Sequence, residues 1–383
     1  MELPLDGVLV VDFSQFLAGP YASLRLLDMG ARVIKVENPD GGDLCRSHYL
    51  SETEVDGDST LFHAINRGKQ SIALNLKTAE GLESARKLMA QADIVIQNFR
   101  PGVMDRLGVG YATAAAIKPD IIYGSISGYG AADAWADAPG QDLLAQARSG
   151  IMWLSGNSDD GPVPLGLPIA DIAAGAALAQ GLLGALFRHA RTGRGAHVET
   201  SLLEALIDLQ FEFLTTYRNN GLVPPERLQR GSAHGYLAAP YGVYPTSDGF
   251  LAIAMTPLPA LAKALGDADL FADLREPHAA FQSRDEVYRR IERHLRTRPA
   301  RDWEADLSAK QVWCAEVVGW DELTAMGAFD RLGIHSVIGH ASSSKLETMR
   351  SPIRLDGQRP SATVGAPLLN AHATEIRKEF DLH

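Results

Sequence analysis

Gly7-Val8-Leu9-Val10-Val11-Asp12-Phe13, the stretch from Gly19-Pro20 to Met29, and Arg32-Val33-Ile34-Lys35-Val36-Glu37 together decide the fold. The first run is apolar without alternation, the pattern of a strand buried on both faces. Gly19-Pro20 opens a helical stretch that closes at Gly30, with proline near the start and glycine past the end. Arg32 to Glu37 then reads as a second strand. The alternation returns at Ser71 to Leu76, a helix through Met89, a strand over Asp93 to Ile96 and another at Ile121 to Ser125. That order predicts an α/β fold with a doubly wound parallel sheet.

Outward from this core, Ala170 to Arg191 reads as a long helix of Ala, Gly and Leu, closed by Thr192-Gly193-Arg194-Gly195 and followed by a strand from His197 to Thr200. Its small residues permit close packing, including across a subunit boundary. After Asn219-Asn220-Gly221, Pro224-Pro225 breaks the pattern, and two short strands between Tyr241 and Met255 flank the hairpin signature Thr246-Ser247-Asp248-Gly249. A chain of 383 residues exceeds one ordinary core. The expected division is a large α/β domain over 1–223, a smaller α+β domain over 224–334, and a segment over 335–383 that returns to complete the large domain.

With 46% hydrophobic and 22% charged residues the composition is that of a globular enzyme. A net charge of −11 repels nucleic acid and anionic lipid, so a polyanionic ligand needs a local basic patch. Cys45 and Cys314 stand apart from any metal or disulfide spacing. The N-terminus lacks a basic region followed by an apolar one, and the longest apolar stretch, Gly175 to Phe187, is short for a bilayer. The expectation is a cytoplasmic protein with no metal, nucleic acid or membrane partner.

A strand, turn, helix and second strand ending in Glu37 also suggest a dinucleotide site, where that acid would hold a ribose. The turn, however, reads Ser14-Gln15-Phe16-Leu17-Ala18-Gly19-Pro20, and one glycine followed by proline cannot cradle a pyrophosphate. An NAD(P)-dependent oxidoreductase is therefore the lower-ranked alternative from a different class.

Phe16 to Ala22, Gly30 to Glu37, Asn66-Arg67-Gly68-Lys69-Gln70-Ser71 and Asn98-Phe99-Arg100-Pro101-Gly102 resemble the class III (CaiB/BaiF type) CoA-transferase family, which also holds acyl-CoA racemases and formyl-CoA transferases. The resemblance continues through Ser127-Gly128-Tyr129-Gly130, Thr192 to Gly195, Arg230-Gly231-Ser232-Ala233-His234 and Tyr244 to Gly249, covering nearly the whole chain. It implies a ring-like homodimer of two interlocked subunits. It also implies CoA transfer from an acyl-CoA to a free carboxylic acid, with coenzyme A as the carried group.

The same resemblance implies that Asp171, after Leu165-Gly166-Leu167-Pro168-Ile169-Ala170, is the nucleophile. A carboxylate suits this chemistry because it keeps the thioester's energy as a mixed anhydride. At a helix start its charge is expected to be favoured by the amide dipoles, although the same position is also a helix cap. Gln15, Gln141, Asp142 and His234 are implied supporting or substrate-orienting residues, and Leu74, Lys77, Asn98, Phe99, Arg106, Arg100, Arg67 and Lys69 are implied CoA contacts. Trp135, Trp153 and Trp313 read as packing residues, Trp153 with a possible place on a substrate wall.

Departures from the family pattern narrow the reaction. Gln141 stands where the racemase branch has a titratable His, and Pro245 where it has a catalytic Glu, which argues against racemisation, the alternative within the family. Leu17, Asn38 and the loop Gly231-Ser232-Ala233-His234-Gly235 differ from the oxalate-using branch. The loop is closer to members that handle dicarboxylates such as succinate, glutarate, mesaconate or citramalate.

Overall fold

The structure is a computed structural model that describes residues 3–382 apart from 49, 51, 131–134, 275–278, 340–344 and 361–363. It divides into two compact units, one of 1–148, 167–209 and 329–383 and one of 149–166 and 210–328.

In the first unit, strands β1 (Leu9–Asp12), β2 (Arg32–Glu37), β3 (Gln70–Ala73), β4 (Ile94–Gln97), β5 (Ile122–Ser127) and β6 (Ala196–Ser201) form one sheet in the order β3-β2-β1-β4-β5-β6. Every pairing is parallel. The crossovers run through α1 (Ala18–Leu27), α2 (Thr60–Asn66), α3 (Ala79–Gln91), α4 (Val103–Arg106), α5 (Tyr111–Ile117), α6 (Asp142–Ser149) and α7 (Ile169–Thr192), and α8 (Leu202–Leu209) follows β6. Val11, Ile34, Ile72 and Val95 pack on one face with Ala85, Leu88 and Met89 of α3 and with Ile376 and Phe380 near the C-terminus. On the other face α7 crosses β5 so closely that a Cβ at Gly124 would sit 3.2 Å from Leu178 and Leu182.

α7 has 24 residues and is long and apolar enough, by length and composition, to cross a membrane, a longer stretch than Gly175 to Phe187 suggested. Here Ala170, Ala174, Leu178 and Leu182 are fully buried inside the unit. The helix packs against α1, α8 and β5.

The C-terminal part returns to the sheet edge. Asn370 accepts from the Ala73 amide at 2.8 Å, and His372 Nδ1 accepts from the Ser71 amide, so the outer edge of β3 is covered rather than left open.

The second unit holds an antiparallel sheet, β9-β8-β7, of β7 (Gly242–Pro245), β8 (Phe250–Ile253) and β9 (Cys314–Glu316). The Thr246 to Gly249 turn joins β7 to β8, closed by the Thr246 amide donating to the Gly249 carbonyl. Helices α9 (Phe211–Asn219), α10 (Leu258–Leu265), α11 (Arg284–Leu295) and α12 (Ala300–Ala309) belong to the same unit. Tyr244, Leu251, Leu261, Val287, Ile291 and Trp303 form its core.

The division at 224 and 334 expected from the sequence differs from this one at both ends, and residues 149–166 also join the second unit. Arg227 donates to the carbonyls of Ser155, Asp160 and Gly161, and the Ser158 amide to that of Leu228. These ties are polar and leave no periodic signal.

Candidate active site

Asp171 is the third residue of α7. It does not cap its helix; that position is filled from α6, because Asp142 Oδ2 accepts from the amides of Ala170 at 2.7 Å and Asp171 at 3.1 Å. Asp142 Oδ1 takes a 2.6 Å bond from Gln146 Nε2, which fixes the carboxylate in that pose. Gln141 lies just ahead of α6, exposed, with its carbonyl accepting from the Ala145 amide.

The Asp171 carboxylate itself accepts no hydrogen bond among the described residues and is half-buried. Burial pushes its pKa up to about 7, and the Asp142 charge beside it adds to the rise. The expectation that helix dipoles would favour the ionised form is overturned for a physical reason. The N-terminal amides that would stabilise Asp171 are taken by a second carboxylate.

Strand order reverses between β1 and β4, and there the loops leaving the two strands diverge. Asn98, one residue past β4, holds Gln15 in the loop after β1: Oδ1 accepts from the Gln15 amide at 2.8 Å and Nδ2 donates to its carbonyl at 2.7 Å. Below this loop lie fully buried charges. Lys35 donates to the Ser14 carbonyl and pairs with Asp43, while Lys69 pairs with Asp12 and donates to the Pro20 carbonyl. Burial alone would raise the pKa of Asp12, but Lys69, Lys35, Ser14 and Ser23 outweigh it and hold it near 2.

Two expected CoA contacts are corrected here. Lys69 is spent on Asp12, and Arg67, almost wholly buried, makes a bidentate pair with Asp28 at 2.8 and 3.0 Å, so neither cation is free for a phosphate. Leu74 is buried in the core, and Phe99 packs against it. Lys77, Arg100 and Arg106 are exposed cations. Glu37, the acid a dinucleotide site would use, is consumed by two bonds from Arg46 and one from Ser71.

A cavity of about 410 Å³ opens on the sheet face beside the β4 loop, lined by Phe99, Arg100, Ser125, His197 and Glu199 among others. Asp171 is not part of its wall. Inside it Ser125 Oγ lies 3.0 Å from His197 Nε2, and Tyr111 stacks on the imidazole at 4.4 Å. Sequence reasoning did not single out Ser125 or His197, which meet only through the register of β5 on β6.

His234 belongs to the second unit. Its Nδ1 accepts from the Tyr236 amide, so Nε2 carries the proton, and the ring packs on Phe213 at 4.2 Å. Nε2 lies 3.6 Å from Glu212. Trp135, Trp153 and Trp313 are 47%, 57% and 66% exposed and are not core residues. Among the described residues no group of three His, Cys, Asp or Glu is placed to hold a metal.

Comparison with known proteins adds to this geometry. The model of a family described as CoA-transferase family III matches residues 5–373. The succinate–glutarate CoA-transferase of Agrobacterium fabrum is 40% identical over 259 residues, which span 66% of this chain and 63% of that protein. The acetyl-CoA:oxalate CoA-transferase of Acetobacter aceti is 32% identical over 98% of this chain and 96% of its own length. Among solved structures, a CAIB/BAIF family protein from Brucella suis superposes with a TM-score of 0.86 at 32% identity, covering all of both chains.

Proposed function

The chain belongs to CoA-transferase family III, and from that premise we propose that it moves CoA from an acyl-CoA to a free dicarboxylate through covalent intermediates on Asp171. The observation that carries the proposal is a half-buried carboxylate with no hydrogen-bond partner among the described residues and a pKa near 7. Such a group is ionised for much of the time at neutral pH yet poorly solvated, which makes its oxygen a stronger nucleophile than a surface aspartate.

In the proposed route an Asp171 oxygen attacks the thioester carbonyl, the C–S bond breaks, and the products are a mixed anhydride and CoA thiolate. The thiolate then attacks the aspartyl carbonyl, releasing the first acid and leaving an aspartyl-CoA thioester. The acceptor carboxylate attacks that thioester, its C–S bond breaks to give a second anhydride and CoA thiolate, and the thiolate attacks the acceptor's carbonyl, expelling the Asp171 carboxylate. No proton is exchanged in any of these steps, so a non-titratable Gln141 is no handicap. Dicarboxylates are favoured as acceptors because glutarate and oxalate appear in the names of the relatives.

The reading extends to a homodimer, in which a second copy covers apolar surface such as Phe187 and Phe211, 66% and 69% exposed. Light scattering in solution tests this; a monomer at working concentration removes it.

The activity is tested by intact and peptide mass spectrometry after mixing with succinyl-CoA, glutaryl-CoA and acetyl-CoA, quenched with and without hydroxylamine. A CoA adduct or hydroxamate on the Asp171 peptide is expected, followed by turnover when glutarate or mesaconate is added. Deuterium incorporation at the α-carbon without any acceptor acid would instead point to racemisation.

A further inference from the structure

We propose that Asn98 is a positioning residue for the transfer step, acting through Gln15, an inference that rests on Asp171 being the nucleophile. At the point where strand order reverses, the Asn98 carboxamide makes one bond to each backbone polar group of Gln15 and so ties the loop after β1 to the loop after β4. The residues on either side are held as firmly. The Ser14 carbonyl accepts from the buried Lys35 ammonium at 2.7 Å, and the Phe16 amide donates to Asp43 Oδ1 at 3.0 Å. Phe16 is thereby kept at a φ of 59°, a left-handed conformation that is strained for a residue with a Cβ.

Fully buried charges and a strained residue under one short loop point to a backbone whose exact course matters. What that backbone presents is the Gln15 side chain, half-buried and without a hydrogen-bond partner among the described residues. The loop also abuts the start of α7. Leu17 packs in one cluster with Ile172, the residue after Asp171, and the Ala18 carbonyl lies against Gly175. Gln15 Nε2, a donor without a partner among the described residues on a loop packed against the start of α7, is on this inference the group that meets the carbonyl oxygen that gains charge when Asp171 attacks, with Asn98 holding the backbone it extends from.

A double-mutant cycle on the rate of adduct formation in a single turnover tests this. Gln15→Ala should slow the step by about 10²-fold, in the range for losing one oxyanion donor. Asn98→Ala should slow it by about 10-fold, as for loss of an orienting partner, with the donor's KM unchanged. The double variant should be no slower than Gln15→Ala. Hydrogen exchange at the Gln15 and Phe16 amides should rise in Asn98→Ala. Should that variant fold poorly, Asn98→Asp keeps the acceptor for the Gln15 amide and loses only the donor. Multiplicative effects, or a raised donor KM with an unchanged adduct rate, overturn the inference, the latter by making Asn98 a direct CoA contact. Absence of any adduct in the unaltered protein would instead take down the functional reading with it.

Discussion

Asp171→Asn should make the protein more stable above neutral pH, although it removes the proposed nucleophile. An acid whose folded pKa is about 7, against about 3.9 when unfolded, binds more protons in the native state than in the unfolded chain between those values. Native stability therefore falls as pH rises through that window, and the loss is complete above it. A shift of about three units corresponds to about 4 kcal/mol at pH 8 and shrinks to about 1.5 kcal/mol at pH 5. Asparagine keeps the shape and carries no charge, so it escapes the loss. For a chain of 383 residues the gain is about 5 °C in Tm at pH 8 if the whole chain melts together, and more if the first unit melts alone. Differential scanning calorimetry of both proteins at pH 5 and pH 8 measures it. A variant less stable than the parent at pH 8, or an offset that ignores pH, would refute the placement of a desolvated charge beside Asp142.

The acidic limb of kcat/KM should rise through about pH 7, and Asp142→Asn, which keeps an acceptor for the two α7 amides, should move it downward by less than the whole shift because burial is the larger cause. Arg67→Ala should cost about 1–3 kcal/mol, since buried Asp28 loses two bonds but keeps the one from Arg25, and should leave the donor KM alone. Arg100→Ala should do the reverse, raising that KM with Tm unmoved; steady-state kinetics with thermal melts on both variants separate the two. Gly175→Ala should cost about 1–3 kcal/mol in urea unfolding, since its Cβ would lie 2.5 Å from the Ala18 carbonyl oxygen.

The sheet was legible because its inner strands, such as β1, β2 and β4, are buried on both faces and read as largely apolar runs. Lys35 inside such a run was also a signal, unused: a cation in a doubly buried strand requires a buried partner, here Asp43. Arg67 and Lys69 misled because the sequence shows a charge but not its counter-ion, and Asp28 and Asp12 lie 39 and 57 positions away. Asp171 stood out only through family resemblance. On its own residues it reads as a cap, and the true cap, Asp142, lies 29 positions upstream on another helix. The domain edge was illegible because backbone carbonyls gathered around Arg227 define it, not a hydrophobic period.

The carboxylate cap on α7 has a thermodynamic side. Holding a second negative charge beside Asp171 lifts the free, ionised enzyme, and every covalent state that neutralises Asp171, whether anhydride or thioester, recovers part of that difference. On the proposed route burial and the Asp142 charge together draw the resting enzyme and its intermediates toward one level, with burial the larger share. A carrier that must run equally well in both directions, and spend none of the thioester's energy on itself, needs that levelling.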